Sequence, residues 1–241
     1  MNPESQTVSW IRVLRSRMHH LWALKFTGSV VMVWAFFYAY LWILRHPPVP
    51  ALAMPLTVVD RWVGFVPWSI WIYFSLWPYV IILPAFYASF RQLLVYLSGA
   101  LLISGVGMSI FYFSPTAVPA ERVANRAQHL GFDLLEGVDA TGNACPSLHV
   151  AFAVYTALGM RRVLREIGAP AGAQHFNLLW GGAIALSTLT TGQHVFLDLI
   201  AGGALAALTA VPVFDLLHRR TPEGENQAAP CPVKPPRAER G

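Results

Sequence analysis

Two short segments carry residue types that could do chemistry together. In the first, PSLH, Ser147 precedes His149 by two residues at the start of an apolar run. In the second, STLTTGQHVFLD, which begins at Ser187, His194 and Asp198 are four residues apart and would share one face of a helix. A carboxylate at that spacing can accept one N–H of the imidazole. This fixes the tautomer and leaves the other nitrogen as a nucleophile or a base.

A long segment of mixed charge, residues 114–145, adds cations to this set. Pro119 could open a short helix there, which would place Arg122 and Arg126 one turn apart on one face. Arginine and serine suit phosphate oxygens, while one histidine can attack phosphorus and another can protonate the leaving group. The candidates are His149, His194 and Asp198 for catalysis, and Arg122, Arg126, Ser147 and Ser187 for phosphate binding.

The composition predicts that a membrane protein holds these residues. Hydrophobic residues make up 55% of the 241 positions, and charged residues make up 12%. A soluble domain usually has about twice that charged fraction. Nine Trp and eight Tyr suit the water–lipid interface. The formal net charge is +5, but no basic cluster lies on a soluble module, so the pattern argues against a nucleic-acid partner.

Six apolar segments are candidates for membrane-spanning helices, which need about 20 residues. They cover residues 26–44, 66–88, 93–113, 147–160, 175–191 and 196–217. Pro78 and Pro84 in the second segment predict a kink. The predicted fold is an all-α integral membrane bundle of six transmembrane helices at 26–217. It follows a basic segment, 1–25, and precedes a polar, Pro-rich tail, 218–241, that we expect to be disordered.

The placement of Lys and Arg predicts the orientation. Four of the 17 Lys and Arg residues, Arg45, Arg61, Arg122 and Arg126, fall in the predicted outer loops, and all the others fall on the side of the N-terminus. Because cytoplasmic loops carry the excess of positive charge, both termini are expected in the cytoplasm and the candidate residues at the outer face. We expect a bacterial inner membrane, with the site facing the periplasm. Cys145 and Cys231 would then lie on opposite sides and could not pair.

The two motifs together resemble the type 2 phosphatidic acid phosphatase (PAP2) superfamily. The resemblance covers about residues 60–205, and it rests on PSLH and on the Ser-x6-His-x3-Asp spacing of the second segment. PSLH and the Ser-Thr opening are most similar to the inositolphosphotransferase-like branch, which includes fungal inositol phosphorylceramide synthases. The resemblance implies a six-helix membrane enzyme with an outward-facing site, no metal or other cofactor, and a lipid phosphate or phosphodiester as substrate.

The resemblance also implies roles for individual residues. His194 would be the nucleophile that forms a phosphohistidine, Asp198 would orient it, and His149 would be the general acid. Ser147 and Ser187 resemble phosphate contacts.

The chain departs from the superfamily at its cations. The lysine of the superfamily's first motif is absent, since this chain has only Lys25 and Lys234, both expected in the cytoplasm. SPTAVPAERV resembles a degenerate first motif of this branch, which makes Arg122 the first candidate phosphate ligand and Arg126 the second. Thr188 stands where many relatives have an arginine. With fewer cations, a phosphomonoester or phosphodiester is easier to accommodate than a diphosphate.

Three alternatives stay open on the sequence. The phosphohistidine could be resolved by water, which gives a phosphatase, or by an alcohol such as inositol, which gives a transferase. His149, His194 and Asp198 could instead form a metal site. The chain could also be a non-enzymatic transporter or scaffold with a degenerate site.

Three smaller features also carry expectations. Asp60 and Arg61 could form a loop ion pair, which would stabilise little if exposed, or could have a role in substrate entry. Gly202 and Gly203 are expected to allow close helix packing. Asn143 is expected to shape a turn before Pro146.

Overall fold

The computed structural model describes residues 3–122, 129–132 and 142–218, and most of these residues are helical. In these ranges the helices are α1 (Pro3–His19), α2 (Trp22–Arg45), α3 (Val58–Trp62), α4 (Ile70–Phe74), α5 (Leu76–Ala85), α6 (Phe90–Phe113), α7 (Leu148–Glu166), α8 (Ala171–Thr190) and α9 (Phe196–His218). Single 3-10 turns cover Pro67–Ser69 and Ala120–Arg122, and two short strands are β1 (Leu52–Ala53) and β2 (Thr116–Ala117). The predicted tail, with Cys231, lies almost entirely outside the described residues.

The chain is an integral membrane protein. Within the described ranges, four helical segments are long and apolar enough to cross a membrane: Trp22–Arg45, Pro67–Ala85, Phe90–Phe113 and Phe196–Leu216. They correspond to the first, second, third and sixth predicted spans. The fourth and fifth predicted spans are helices too, namely α7 and α8, but neither meets the same standard of apolarity. Six spans therefore stay a prediction.

Helix α7 lies at the centre of the bundle, which explains its mixed composition. It packs against α5, α6, α8 and α9, and most of its residues are buried. Its Tyr155 is fully buried, stacks on Tyr96 of α6 and donates its hydroxyl proton to the Tyr96 carbonyl at 2.9 Å. A helix surrounded by other helices meets side chains rather than lipid. It can therefore carry polar residues that a lipid-facing helix would not.

The second predicted span is interrupted at Ser75, between α4 and α5. The interruption has a physical cause in Pro78, and a bend between the two helices stays a prediction. Pro78 has no N–H to donate to the carbonyl of Phe74, and its ring crowds that carbonyl. Pro84 lies inside the last turn of α5, where the helix continues to Ala85.

One end of the bundle is held together by basic residues. Lys25 of α2 donates to the carbonyls of Arg17, Ala85 and Tyr87 at 2.8–3.0 Å, which joins the start of α2 to the ends of α1 and α5. Arg17 also pairs with Glu166, the last residue of α7, at 2.7 Å. We call this the arginine end, because it also carries Arg91, Arg161, Arg162 and Arg165.

The opposite end of the bundle, here the histidine end, holds the candidate motifs. Ser147 begins α7 there, α8 ends there at Thr190, and α9 begins there at Phe196. The separation of the arginine end from the histidine end is the charge asymmetry that the orientation prediction requires. The orientation in a membrane stays a prediction.

A small parallel sheet at the histidine end was not expected from an all-α prediction. Leu52 pairs with Thr116 and Ala53 with Ala117, and Thr116 also bridges to Asn143. Strands this short give no periodic signal in a sequence. The sheet ties three loops together and leads directly into Ala144, which contacts a candidate histidine.

The crossing of α7 and α9 depends on a glycine. A Cβ at Gly202 would lie 2.3 Å from the Ser147 carbonyl oxygen, whereas a Cβ at Gly203 would meet nothing within 4 Å. The packing prediction is thus confirmed for Gly202 and wrong for Gly203. We expect Gly202→Ala to lower the free energy of unfolding by about 1–3 kcal/mol, because α9 must move away from α7. Thermal unfolding in detergent measures this, with Gly203→Ala as the matched control. Equal melting temperatures for the two variants would contradict the packing argument.

Candidate active site

His194 has one ring nitrogen held and the other left for chemistry. Its Nδ1 lies 3.0 Å from the Ala144 carbonyl oxygen and 3.5 Å from Oδ2 of Asp198. A carbonyl oxygen only accepts hydrogen bonds, so Nδ1 carries the proton and donates it. In the neutral imidazole the lone pair is then on Nε2. This is the tautomer that a nucleophilic histidine needs.

The segment that carries His194 connects α8 to α9 and is itself fixed. The His194 N–H donates to the Thr188 carbonyl at 3.0 Å, and Gly192 takes a positive φ of 66° that suits glycine. The Ala144 carbonyl is fixed by the neighbouring sheet, since Ala144 N–H and Cys145 N–H donate to the backbone oxygen and the hydroxyl of Thr116. The imidazole therefore meets a rigid acceptor.

Asp198 is fully buried in the first turn of α9 and joins the two motifs. Its Oδ2 accepts the Val195 N–H at 2.9 Å, and its backbone carbonyl accepts the Ser147 N–H at 3.1 Å. Its Oδ1 has no hydrogen-bond partner among the described residues. A carboxylate at a helix N-terminus is favoured by the helix dipole. Asp198 thus supports His194 from a protected position.

His149 lies in the first turn of α7 against aromatic rings. Its ring stacks on Tyr73 with centroids 3.7 Å apart, and Trp77 approaches edge-on at 6.4 Å. His149 Nε2 lies 2.9 Å from the Tyr73 carbonyl oxygen, so Nε2 is the donor and Nδ1 is the second site for a proton. A general acid in this arrangement would deliver the proton from Nδ1, or from Nε2 after rotation of the ring.

The structure brings both histidines to one cavity of about 230 Å³ at the histidine end. Aromatic side chains form most of the remaining wall, and Asn143 and Gln193 add amide groups. No Lys or Arg of the described residues lines this cavity. A group bound here would therefore meet two imidazoles, two amides and hydrophobic rings.

The two candidate serines lie near the histidines but are engaged with backbone. The Ser147 hydroxyl caps α7 by accepting the Val150 N–H at 3.2 Å, and Ser147 is fully buried. The Ser187 hydroxyl donates to the Ile184 carbonyl within α8 at 2.6 Å. Donation to a phosphate would require the Ser187 hydroxyl to leave Ile184, whereas the Val150 bond uses only a lone pair of the Ser147 oxygen and not its O–H.

Arg122 does not line the histidine cavity. Its guanidinium donates to the backbone carbonyls of Asp60, Val63 and Leu189, and it lines a separate cavity of about 240 Å³. These bonds fasten the end of α8 to the loop after α3. Arg126 lies outside the described residues, so the predicted helix face shared by the two arginines is not tested.

Asp60 has a structural role that its sequence context did not suggest. It is 2% exposed, and its Oδ1 accepts the N–H of Phe196, two residues after His194, at 2.8 Å. Its Oδ2 accepts both the N–H and the hydroxyl of Thr57 at 2.7 Å, which completes a capping box on α3. The loop ion pair with Arg61 is not formed among the described residues.

Asp60 is held in its charged form. Burial raises the pKa of this carboxyl, but hydrogen bonds from Thr57 and Phe196 and the charge of Arg122 outweigh it and hold the pKa below its usual value. Because the folded pKa lies below the unfolded one, the stabilisation is fully present above the unfolded pKa of about 3.9 and is lost as the pH falls through the folded pKa.

Asp60→Asn is expected to loosen the His194 segment. The amide keeps one acceptor oxygen where the carboxylate has two, so either Phe196 or Thr57 loses its partner. We expect a loss of about 1–3 kcal/mol in the free energy of unfolding and several-fold slower turnover. Thermal unfolding and steady-state kinetics in detergent measure both effects. Asp215→Asn, at an exposed position of α9, is the control. Equal behaviour of the two variants would remove the assigned role of Asp60.

Sequence reasoning missed several residues that line the site. Gln193 directly precedes His194, and Tyr40, Tyr73 and Trp77 come from helices distant in the chain. Asn143 was expected only to shape a turn, but its side-chain amide also donates to the Tyr40 hydroxyl. Of these residues, only Gln193 could have been suspected from the sequence, because it is adjacent to His194. The aromatic residues could not be distinguished from lipid-facing ones by pattern.

The described part of the chain has no arrangement of side chains that fits the alternative of a metal site. No three His, Cys, Asp or Glu side chains there converge closely enough to hold a metal ion. His149, in particular, uses one nitrogen on the Tyr73 carbonyl and faces an aromatic ring.

Comparison with known proteins gives one informative match. The model of a family described as the PAP2 superfamily matches residues 57–211, which is more than half of the chain. This range begins at the capping box of Asp60 and includes both histidines and Asp198. No curated protein and no solved structure matches the chain.

Proposed function

Since this chain belongs to the PAP2 superfamily, we propose that it is a membrane phosphatase or phosphotransferase that acts on a lipid-linked phosphate through a phosphohistidine. Membership in the superfamily supports an enzyme of phosphate esters in general terms. The observation that carries the specific proposal is the setting of His194: its Nδ1 donates to the Ala144 carbonyl with Asp198 Oδ2 3.5 Å away, and Nε2 keeps the lone pair.

In the first step, Nε2 of His194 attacks phosphorus and the bond from phosphorus to the leaving oxygen breaks. His149 gives a proton to that oxygen, so the product leaves as an alcohol. The imidazolium that forms at His194 is stabilised by Asp198, whose Oδ2 lies 3.5 Å from Nδ1.

In the second step, an oxygen nucleophile attacks the phosphohistidine and the P–N bond breaks. His149, now neutral, takes the proton of the attacking water or alcohol. Water yields inorganic phosphate or a phosphomonoester, and an alcohol such as inositol yields a new ester. Transfer to an alcohol, as the inositolphosphotransferase-like branch would perform it, is therefore part of the proposal, because the same residues serve water and alcohol acceptors.

The lining of the histidine cavity favours a substrate of low charge. Among the described residues it has no Lys or Arg, and Arg122 is engaged with three carbonyls. Gln193 and Asn143 supply neutral amides, and the first turn of α7 adds the positive end of a helix dipole. These groups suit a phosphomonoester or a phosphodiester better than a diphosphate.

The proposed setting is a six-helix bundle with the histidine end outside and both termini in the cytoplasm. Two features support it. The long helices alternate in direction, and the basic residues gather at the arginine end. A bacterial inner membrane with a periplasmic site fits this arrangement.

Turnover without a divalent metal tests the proposed class of reaction. The purified protein should hydrolyse phosphatidic acid or para-nitrophenyl phosphate in the presence of EDTA, because imidazoles supply both the nucleophile and the acid. Release of inorganic phosphate, or formation of a new ester when inositol is added, is measured. Activity that EDTA abolishes and added metal restores would contradict the mechanism. A protein inert on every lipid phosphate, with or without alcohols, would favour the transporter or scaffold alternative.

A further inference from the structure

A second cavity lies next to the histidine cavity, on its side toward the arginine end. It has a volume of about 160 Å³ and lies between α2, α5 and α6. Phe36, Leu76, Trp77 and Phe152 line both cavities, so the two spaces share a wall and adjoin. We call the second cavity the tail groove.

The tail groove follows one stripe of α2. Leu24, Gly28, Met32 and Phe36 line it at intervals of four residues, which places them on one face of the helix. Leu24 and Phe36 are twelve residues apart, or about 18 Å along the helix axis. This is more than half of the roughly 30 Å hydrocarbon thickness of a bilayer. The groove is therefore long enough to hold a substantial part of one hydrocarbon chain.

The lining of the groove is apolar, because its polar groups are bonded to backbone carbonyls. The ammonium of Lys25 is used by three backbone carbonyls, and the Ser104 hydroxyl donates to the Ala100 carbonyl of its own helix. The three helices that form the walls are all segments that qualify to cross a membrane. Its rim includes the partly exposed Leu24 and Ile81, so the space adjoins the region that lipid tails occupy.

We propose that the tail groove binds one hydrocarbon tail of the lipid whose phosphate reacts at His194. This inference rests on the proposed function and adds a specificity to it. The enzyme distinguishes long-chain lipid phosphates from short-chain esters because only a long tail reaches Gly28 and its neighbours in the groove, away from the phosphate at His194. A tail in the groove, running from the histidine end toward the arginine end, lies along the bundle as lipid tails lie in a leaflet.

Gly28 offers a direct test, because a Cβ there would meet nothing within 4 Å. Gly28→Phe should fold normally and fill the groove. Gly182→Phe is the matched control, since Gly182 also has open space at Cβ but lies exposed on α8 and does not line the groove. Thermal unfolding in detergent checks that both variants fold.

The first readout is photolabelling by a non-hydrolysable phosphonate analogue of dipalmitoyl phosphatidic acid with a diazirine near one tail end. Label should map to α2, α5 or α6 at groove positions in the wild type and in Gly182→Phe, and should fall about tenfold or more in Gly28→Phe. Label elsewhere, or label unchanged in Gly28→Phe, would overturn the proposal.

The second readout is turnover of dipalmitoyl against dihexanoyl phosphatidic acid. Gly28→Phe should lower the long-chain to short-chain ratio of kcat/KM about tenfold, and Gly182→Phe should leave it unchanged. An unchanged ratio in Gly28→Phe would count against the groove. Absence of turnover in the wild type would count against the proposed function instead, and the labelling would still decide whether the groove holds a tail.

Discussion

His194→Ala is expected to lower turnover at least about a thousandfold on every substrate, while the fold persists. The variant removes the nucleophile, and nothing else described in the cavity can form the covalent bond at that point. His194 is buried, and its truncation leaves the Ala144 carbonyl without this donor, so we expect a loss of about 1–3 kcal/mol in the free energy of unfolding. Release of phosphate from the lipid that the wild type hydrolyses is the measurement.

His175→Ala is the control for His194→Ala, since His175 is exposed on α8. It should keep wild-type turnover. If His194→Ala retained more than a tenth of wild-type turnover, the nucleophile assignment would be wrong.

His149→Ala should lower turnover about a hundredfold to ten-thousandfold on lipid phosphates, because the leaving alkoxide then departs without a proton. The loss should depend on the leaving group. A nitrophenolate is stable without protonation, so the rate at which para-nitrophenyl phosphate forms the phosphoenzyme should fall far less. Single-turnover release of nitrophenol measures that step separately from the second one.

The leaving-group comparison separates acid catalysis from a structural role for His149. The imidazole stacks on Tyr73 and bonds its carbonyl, so its loss could also disturb the cavity. A structural disturbance would slow both substrates by the same factor. Equal losses on the lipid phosphate and on para-nitrophenyl phosphate would therefore contradict the assignment of His149 as the general acid.

The residues at the centre of the site could be predicted because their chemistry is encoded locally. His194 lies two residues before α9 rather than on the helix face that the spacing predicted, but the short connection still brings its Nδ1 within 3.5 Å of Asp198 Oδ2. His149 follows a serine that caps its helix. Local spacing of this kind is preserved wherever the helix lies in the bundle. The strongly apolar helices were predictable for the same reason.

The supporting residues could not be predicted because their partners are distant in the chain. Asp60 contacts Phe196, and the Arg122 guanidinium reaches Leu189, across more than sixty positions in each case. Arg122 was chosen as a phosphate ligand from its place in a degenerate motif on the predicted outer side, and the sequence does not record that its guanidinium donates to three backbone carbonyls. The burial of α7 likewise depends on packing against neighbouring helices. Its mean hydropathy therefore does not show that it lies at the centre of the bundle.

Trapping the phosphoenzyme tests the phosphohistidine mechanism most directly. The purified wild type, His149→Ala and His194→Ala are mixed with a radiolabelled form of the lipid phosphate that the wild type turns over and, separately, with radiolabelled para-nitrophenyl phosphate, and they are quenched within the first turnovers. The phosphohistidine mechanism predicts an acid-labile, base-stable label on His194 in the wild type, accumulation of that label in His149→Ala with para-nitrophenyl phosphate, and no label in His194→Ala. Label that is undiminished in His194→Ala, or that maps to another residue, would contradict the phosphohistidine mechanism.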